Sequence, residues 1–300
     1  MSAIAFAHLC KHYRTQTALD DLTFEVAEGS VCALLGPNGA GKTTAFKCLL
    51  GLTRPTSGSA SVGAHAVGPE TFVDLAYVAD RPLLEEHLSV DEHLAVARRI
   101  APRFDLARAN ELVATFGLPR RRAVRTFSKG QQTAVSLVLA FAIRPRTLIL
   151  DEPSSGLDPI FQRTVLDLII DAAAGGATVL ISSHQIGQIE RAADHVAILQ
   201  RGKLVLAGEI DALKERERIV EAIFENDAPA LDGLASNPDV RRIDRTGRLL
   251  RVYVRANGDA IAARARELGA RDVTVRDQNL EEIFLVAVAD GGTSPKETVR

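Results

Sequence analysis

Apolar positions along this chain follow different spacings in different stretches. Near the start, Ala3 to Leu9 and Leu22 to Ala27 alternate apolar with polar residues, which predicts strands of a half-buried antiparallel sheet. His12, Tyr13 and Arg14 lie between them. Val31 to Leu35, Thr147 to Leu150, Thr178 to Ser182 and Val196 to Leu199 are apolar nearly throughout. Strands look like that when helices cover both faces of a parallel sheet. Helical spacing fills the gaps. Phe161 to Ala174 places Val165, Leu168 and Ile169 on one face and stops at Gly175-Gly176. From Ser89 to Phe141 the spacing is helical throughout, interrupted at Pro102, Gly117 and Pro119, which predicts an all-helical insertion over about 84–145.

Leu204 to Ala207 and Ile210 to Arg216 read as a closing strand and helix, so a first domain spans 1–215. Beyond it come short strand patterns (Ile219 to Glu225, Leu249 to Val254, Asp272 to Val275) and two helical ones (Ala260 to Leu268, Leu280 to Val288). With turns at Asn237-Pro238 and Thr246-Gly247 they predict a small α+β domain over 216–290, followed by a disordered tail over 291–300.

Composition narrows the function classes. A net charge of −2 gives no basic footprint for nucleic acid. Cys10, Cys32 and Cys48 form no C-x-x-C pair, and Cys32 and Cys48 lie in apolar patterns, which suits a reducing compartment. No signal peptide is expected, because Lys11, His12 and Arg14 follow the first apolar residues instead of preceding them. The apolar run from Val135 to Ile143 is far short of the roughly 20 residues a membrane span needs. A cytoplasmic protein, or one peripheral on the inner face of the membrane, is expected.

The chemistry concentrates in Gly36, Pro37, Asn38, Gly39, Ala40, Gly41, Lys42, Thr43 and Thr44, between an apolar strand and a helix. These residues fit the phosphate-binding pattern G-x-x-x-x-G-K-[ST]. Glycines let successive N–H groups curl toward one anion, and the helix that follows adds its positive end. Lys42 can reach β- and γ-phosphates, and the Thr43 hydroxyl can ligate Mg2+. Thr147 to Pro153 is an apolar strand ending in two carboxylates: Asp151 can hold Mg2+, and Glu152 can polarise an attacking water. Ser128 can cap the helix after Phe127 and face an anion.

With these pieces in order, the first 215 residues or so resemble the ATP-binding subunits of ABC transporters. The resemblance implies a P-loop α/β core with an antiparallel β subdomain and the helical insertion, and it implies that two cassettes dimerise head to tail. Each ATP would then lie between one subunit's phosphate loop and the signature, Phe127 to Gln132, of the other. Ser128, Gly130 and Gln131 would contact the γ-phosphate held by the other subunit's Lys42. Asp158, in the Ser155-Gly156-Leu157-Asp158 loop, would sit across the interface. Glu152 would be the catalytic base, His184 would contact the γ-phosphate, and Tyr13 would stack on adenine. Gln278 to Val288 resembles the end of single-cassette drug, antibiotic and sodium exporters, which implies an integral-membrane permease as partner.

Three positions depart from the family pattern. Asp80 stands where the family has glutamine, and its charge would repel a γ-phosphate unless it coordinates Mg2+ or points away. Lys129 replaces the first signature glycine and can partly offset Asp80, while Phe127 replaces leucine. The rival reading is a soluble ATPase of the same type acting on a ribosome or nucleic acid. Such members carry two cassettes or long coiled-coil insertions, and this chain shows neither.

Overall fold

The computed structural model describes residues 2–63, 68, 71–229, 237–255, 258–290 and 297–299. The chain opens with a long antiparallel hairpin of β1 (Ser2–Tyr13) and β2 (Gln16–Ala27). Both strands outrun their apolar alternation, and Tyr13 ends β1 instead of lying in a connection. The added length carries polar residues such as His12 and Thr17 that face solvent, and it is held by pairing across the hairpin and by the His12 N–H, which donates to Thr56 Oγ1. Phe6 and Phe24 sit opposite each other with stacked rings, centroids 4.7 Å apart.

Next come β3 (Val31–Leu35), α1 (Lys42–Leu49) and β4 (Ser57–Val62). Strand β4 pairs with β1, making a three-stranded sheet in the order β2-β1-β4. After β5 (Leu75–Val78) the chain runs through the helices α2 (Val90–Ile100), α3 (Leu106–Thr115) and α4 (Lys129–Ala142). It then alternates as β6 (Thr147–Asp151), α5 (Pro159–Ala174), β7 (Thr178–Ser182), α6 (Ile186–Ile189), β8 (His195–Gln200) and β9 (Lys203–Glu209).

The six-stranded sheet has the order β5-β6-β7-β3-β8-β9, and the pairs from β5 through β8 are parallel. Every residue of β3, β6 and β7 is buried, which is why these strands are apolar without alternation. Phe6, Leu22, Phe46, Leu34, Ile149 and Leu180 join the hairpin, α1 and the parallel sheet in one core. Because β3, β6 and β7 are parallel neighbours, their C-terminal ends meet on one edge. In open parallel sheets that edge is where ligands bind.

The chain packs as two compact units, divided between Ala207 and Gly208. The helix α7 (Ile210–Arg216), read from sequence as the close of the first domain, falls in the second unit and packs on its α9 and β13. That unit continues with β10 (Arg218–Ile223), β11 (Val240–Thr246), β12 (Leu249–Val254), α8 (Gly258–Glu267), β13 (Asp272–Asp277), α9 (Leu280–Asp290) and β14 (Glu297–Val299). Its sheet order is β13-β10-β12-β11-β14. One face packs on α8 through Val220, Leu250, Val252, Ile261 and Ala265. Residues 291–296 and 300 of the expected disordered tail lie outside the described residues. Glu297–Val299 pairs in parallel with β11, whose outer edge offers unpaired backbone groups.

Candidate functional site

Between β3 and α1 the backbone curls tightly enough to need glycine. Gly41 begins α1 at φ 113°, and a Cβ there would lie 2.6 Å from the Ala18 carbonyl oxygen. No side chain caps this helix, so its first amides remain available to an anion at the positive end of the dipole. Lys42 is buried and donates from Nζ to the Gly36 carbonyl at 2.6 Å, with Pro37 O at 3.5 Å. Burial pushes its pKa down, while the nearby Glu152 and Asp151 pull it up.

The ends of β6 and β7 supply the carboxylates. Thr43 donates from Oγ1 to Asp151 Oδ2 at 2.8 Å, and Ser182 donates from Oγ to Asp151 Oδ1 at 2.6 Å. Asp151 is only 1% exposed, and burial raises its pKa against the pull of these two hydrogen bonds. Glu152 turns out of the strand in the left-handed region, at φ 51°. This conformation costs a non-glycine residue roughly 1 kcal/mol and is held here by its N–H on Ser182 O and Oγ. Glu152 Oε2 accepts from the His184 backbone N–H at 3.2 Å and lies 2.6 Å from His184 Nδ1. The left-handed turn therefore aims the carboxylate at the segment that follows β7.

A cavity of about 290 Å3 collects most of these groups. Tyr13, Asn38, Gly39, Ala40, Gly41, Lys42, Thr43 and Thr44 line it, and Asp80, Asp151 and Glu152 close it from other chain segments. Gly36 and Pro37 contribute carbonyls to Lys42 instead of lining the cavity. Tyr13 is 43% exposed, and Lys11 Nζ sits 4.7 Å from its ring centroid. An adenine stacked on that ring would share it with, or displace, this ammonium.

The signature residues occupy a separate recess of about 90 Å3, with Ser128, Gly130, Gln131, Gly156 and Asp158 among its lining. Ser128 caps α4: its Oγ accepts from the Gln131 N–H, while Gln131 Oε1 accepts from the Ser128 N–H. Asp158 in the same way caps α5, accepting from the Ile160 and Phe161 amides. Gly130 has no room for a side chain, since a Cβ would lie 2.5 Å from the Gly156 carbonyl oxygen. The expected residues thus gather in two places within one chain. Asp80 Oδ1 is held by Lys129 Nζ at 2.9 Å, and the same ammonium lies 3.3 Å from Ser155 Oγ.

Sequence reasoning overlooked Ser182, which both donates to Asp151 and receives the Glu152 amide. A serine ending an apolar strand was the available signal. Near Asp80, a shallow groove of about 230 Å3 is lined by Leu75, Tyr77, Leu83, Leu84, Leu139 and Ile143. Leu83 is 77% exposed there, and Val96 and Ile100 on α2 are also exposed.

Among the described residues no cluster of His, Cys, Asp and Glu encloses a metal by itself. The Thr43 hydroxyl and Asp151 carboxylate are hard oxygen donors in contact, and that donor set fits Mg2+ sharing phosphate oxygens and water. No helix among the described residues is long and apolar enough to cross a membrane.

Comparison with known proteins agrees with this geometry. Residues 19–155 match the ABC transporter family model. The daunorubicin resistance ATP-binding protein DrrA3 of Streptomyces coeruleorubidus is 32% identical over 300 residues, covering 93% of this chain and 94% of that protein. The Nod factor export ATP-binding protein I of Neorhizobium galegae is 31% identical, covering 91% and 81%. A solved ATP-binding subunit of an ABC transporter superposes with a TM-score of 0.65 at 34% identity, covering 71% of this chain and 92% of that one.

Proposed function

The chain belongs to the ATP-binding subunits of ABC transporters and is an ATPase of that family, and from that premise we propose that it powers export through a separate membrane-spanning permease, working as a homodimer on the inner face of the membrane. The observation that carries the reading is the cavity in which Lys42, Thr43, Asp151 and Glu152 converge beneath an uncapped helix start. Export is supported by relatives aligned over most of their length, a daunorubicin resistance ATP-binding protein and a Nod factor export ATP-binding protein. The apolar groove beside Asp80 supplies a surface on which a permease loop can dock. Residues 1–207, with a helical part at about 84–145, serve as the ATP-binding domain and the unit that starts at Gly208 as an accessory domain.

In this reading Lys42 exchanges the Gly36 carbonyl for β- and γ-phosphate oxygens, and the α1 amides take the remaining phosphate charge. Thr43 and Asp151 would hold Mg2+, which supplies charge neutralisation on the phosphates. Glu152 accepts the proton of the attacking water. His184 orients that carboxylate through Nδ1 and keeps Nε2 for the γ-phosphate. Tyr13 receives the adenine. Ser128, Gly130 and Gln131 lie outside the cavity of their own chain, so they serve it only from a second copy, with Asp158 beside them. Both halves are present in one sequence, which makes a homodimer self-sufficient.

The test is Glu152→Gln, which keeps shape and removes the base. With Mg-ATP, size-exclusion chromatography should show a stable dimer that hydrolyses ATP at least about 100-fold more slowly, the lower range for losing a general base. A monomer that persists under saturating Mg-ATP would overturn the composite site.

A further inference from the structure

Two of the positions that depart from the family pattern touch each other. Asp80 follows β5 and lines the phosphate cavity together with Thr43 and Asp151. Lys129 is the first residue of α4, which is 49 positions away. Its Nζ bridges Asp80 Oδ1 at 2.9 Å and Ser155 Oγ at 3.3 Å. The bridge is half exposed, with side-chain exposures of 48% and 43%, so it is an adjustable contact. The neighbouring Gly130 lies close to Gly156, so that a Cβ on it would come within 2.5 Å of the Gly156 carbonyl oxygen.

An unpaired carboxylate at position 80 is a liability in this cavity. It adds a third negative charge to Asp151 and Glu152, where a triphosphate must bind.

We propose that Lys129 is a positioning residue for the nucleotide bound in its own chain: its ammonium draws the Asp80 carboxylate aside and cancels its charge at the phosphate cavity. This assigns the start of α4 a role separate from the contact that Ser128 would make with a second subunit's nucleotide. It rests on the nucleotide site of the preceding section but not on dimer formation. A lysine and an aspartate that each break the pattern are, as a pair, electrically neutral toward the ligand.

The experiment measures Kd for ATP labelled with a methylanthraniloyl group, on the full chain, at concentrations where light scattering shows a monomer. Lys129→Met should weaken binding by about fivefold, the upper range for an exposed ion pair, and Lys129→Arg should stay within about twofold of the parent. Asp80→Asn added to Lys129→Met should restore affinity to within about twofold of the parent, the non-additivity expected of residues in contact. The Lys129→Met difference should also shrink as salt rises. Melting curves check that each variant is folded, and Lys129→Gln replaces Lys129→Met if the latter is not. An unchanged affinity in Lys129→Met, or a double variant no tighter than Lys129→Met, overturns the proposal. Failure of the parent protein itself to bind the labelled ATP would instead sink the nucleotide site.

Discussion

Asp151 shows how one residue can weaken the resting protein and serve the reaction. Burial raises its pKa even though Ser182 and Thr43 both donate to it, so the folded state favours the neutral carboxyl. The stability this contributes is present below the unfolded value, about 3.9 for aspartate, and is lost as pH rises through the raised folded value. Asp151→Asn removes that penalty. Nucleotide-free protein carrying it should match the parent in melting temperature near pH 3, gain on it as pH rises through the folded value, and exceed it at pH 7. ATP hydrolysis should fall about 100-fold or more, because a Mg2+ ligand contributes several kcal/mol to phosphoryl transfer. An Asp151→Asn melting point at or below the parent's at pH 7 would contradict this account. Glu152 carries a similar tension in its backbone, where a left-handed turn aims a carboxylate.

At the scale of elements, α4 is placed by its first turn. Gly130 sits so close to the Gly156 carbonyl that Gly130→Ala must push the helix away from that loop. We expect a loss of about 1–3 kcal/mol in denaturant unfolding, the usual cost of overpacking, together with slower hydrolysis. A Gly130→Ala protein as stable as the parent would show that the contact yields freely. The long elements were legible because their chemistry is local: β3, β6 and β7 are apolar nearly throughout, and Ser128 precedes its helix as a cap. Others were hidden by their surroundings. Strand β4, Ser-Gly-Ser-Ala-Ser-Val, is mostly polar and is held by pairing to β1, and β11 carries Arg241, Arg242, Asp244 and Arg245 that mask Val240 and Ile243. The phosphate loop could be read from its spacing alone. The Glu152–His184 contact spans 32 positions and the Asp80–Lys129 contact 49, and only the folded sheet brings such residues together.

For the whole molecule, the two separate recesses make a quantitative demand on assembly. A symmetric dimer of this chain would contain two sites, each taking Lys42 from one copy and Ser128 from the other. Mixing Lys42→Ala protein with Ser128→Asp protein, each inactive alone, should regain roughly a quarter of parental ATPase activity. Random pairing makes half the dimers mixed, and each mixed dimer keeps one intact site of two. No recovery on mixing would mean that a single chain completes its own site. The Lys42–Gly36 hydrogen bond has a kinetic consequence as well. The lysine already fills the place of the anion's countercharge and holds the loop in its curled form, so an incoming triphosphate exchanges a partner and need not order a segment. Stopped-flow capture should therefore be a single fast phase limited by diffusional encounter, with no slower ordering step behind it.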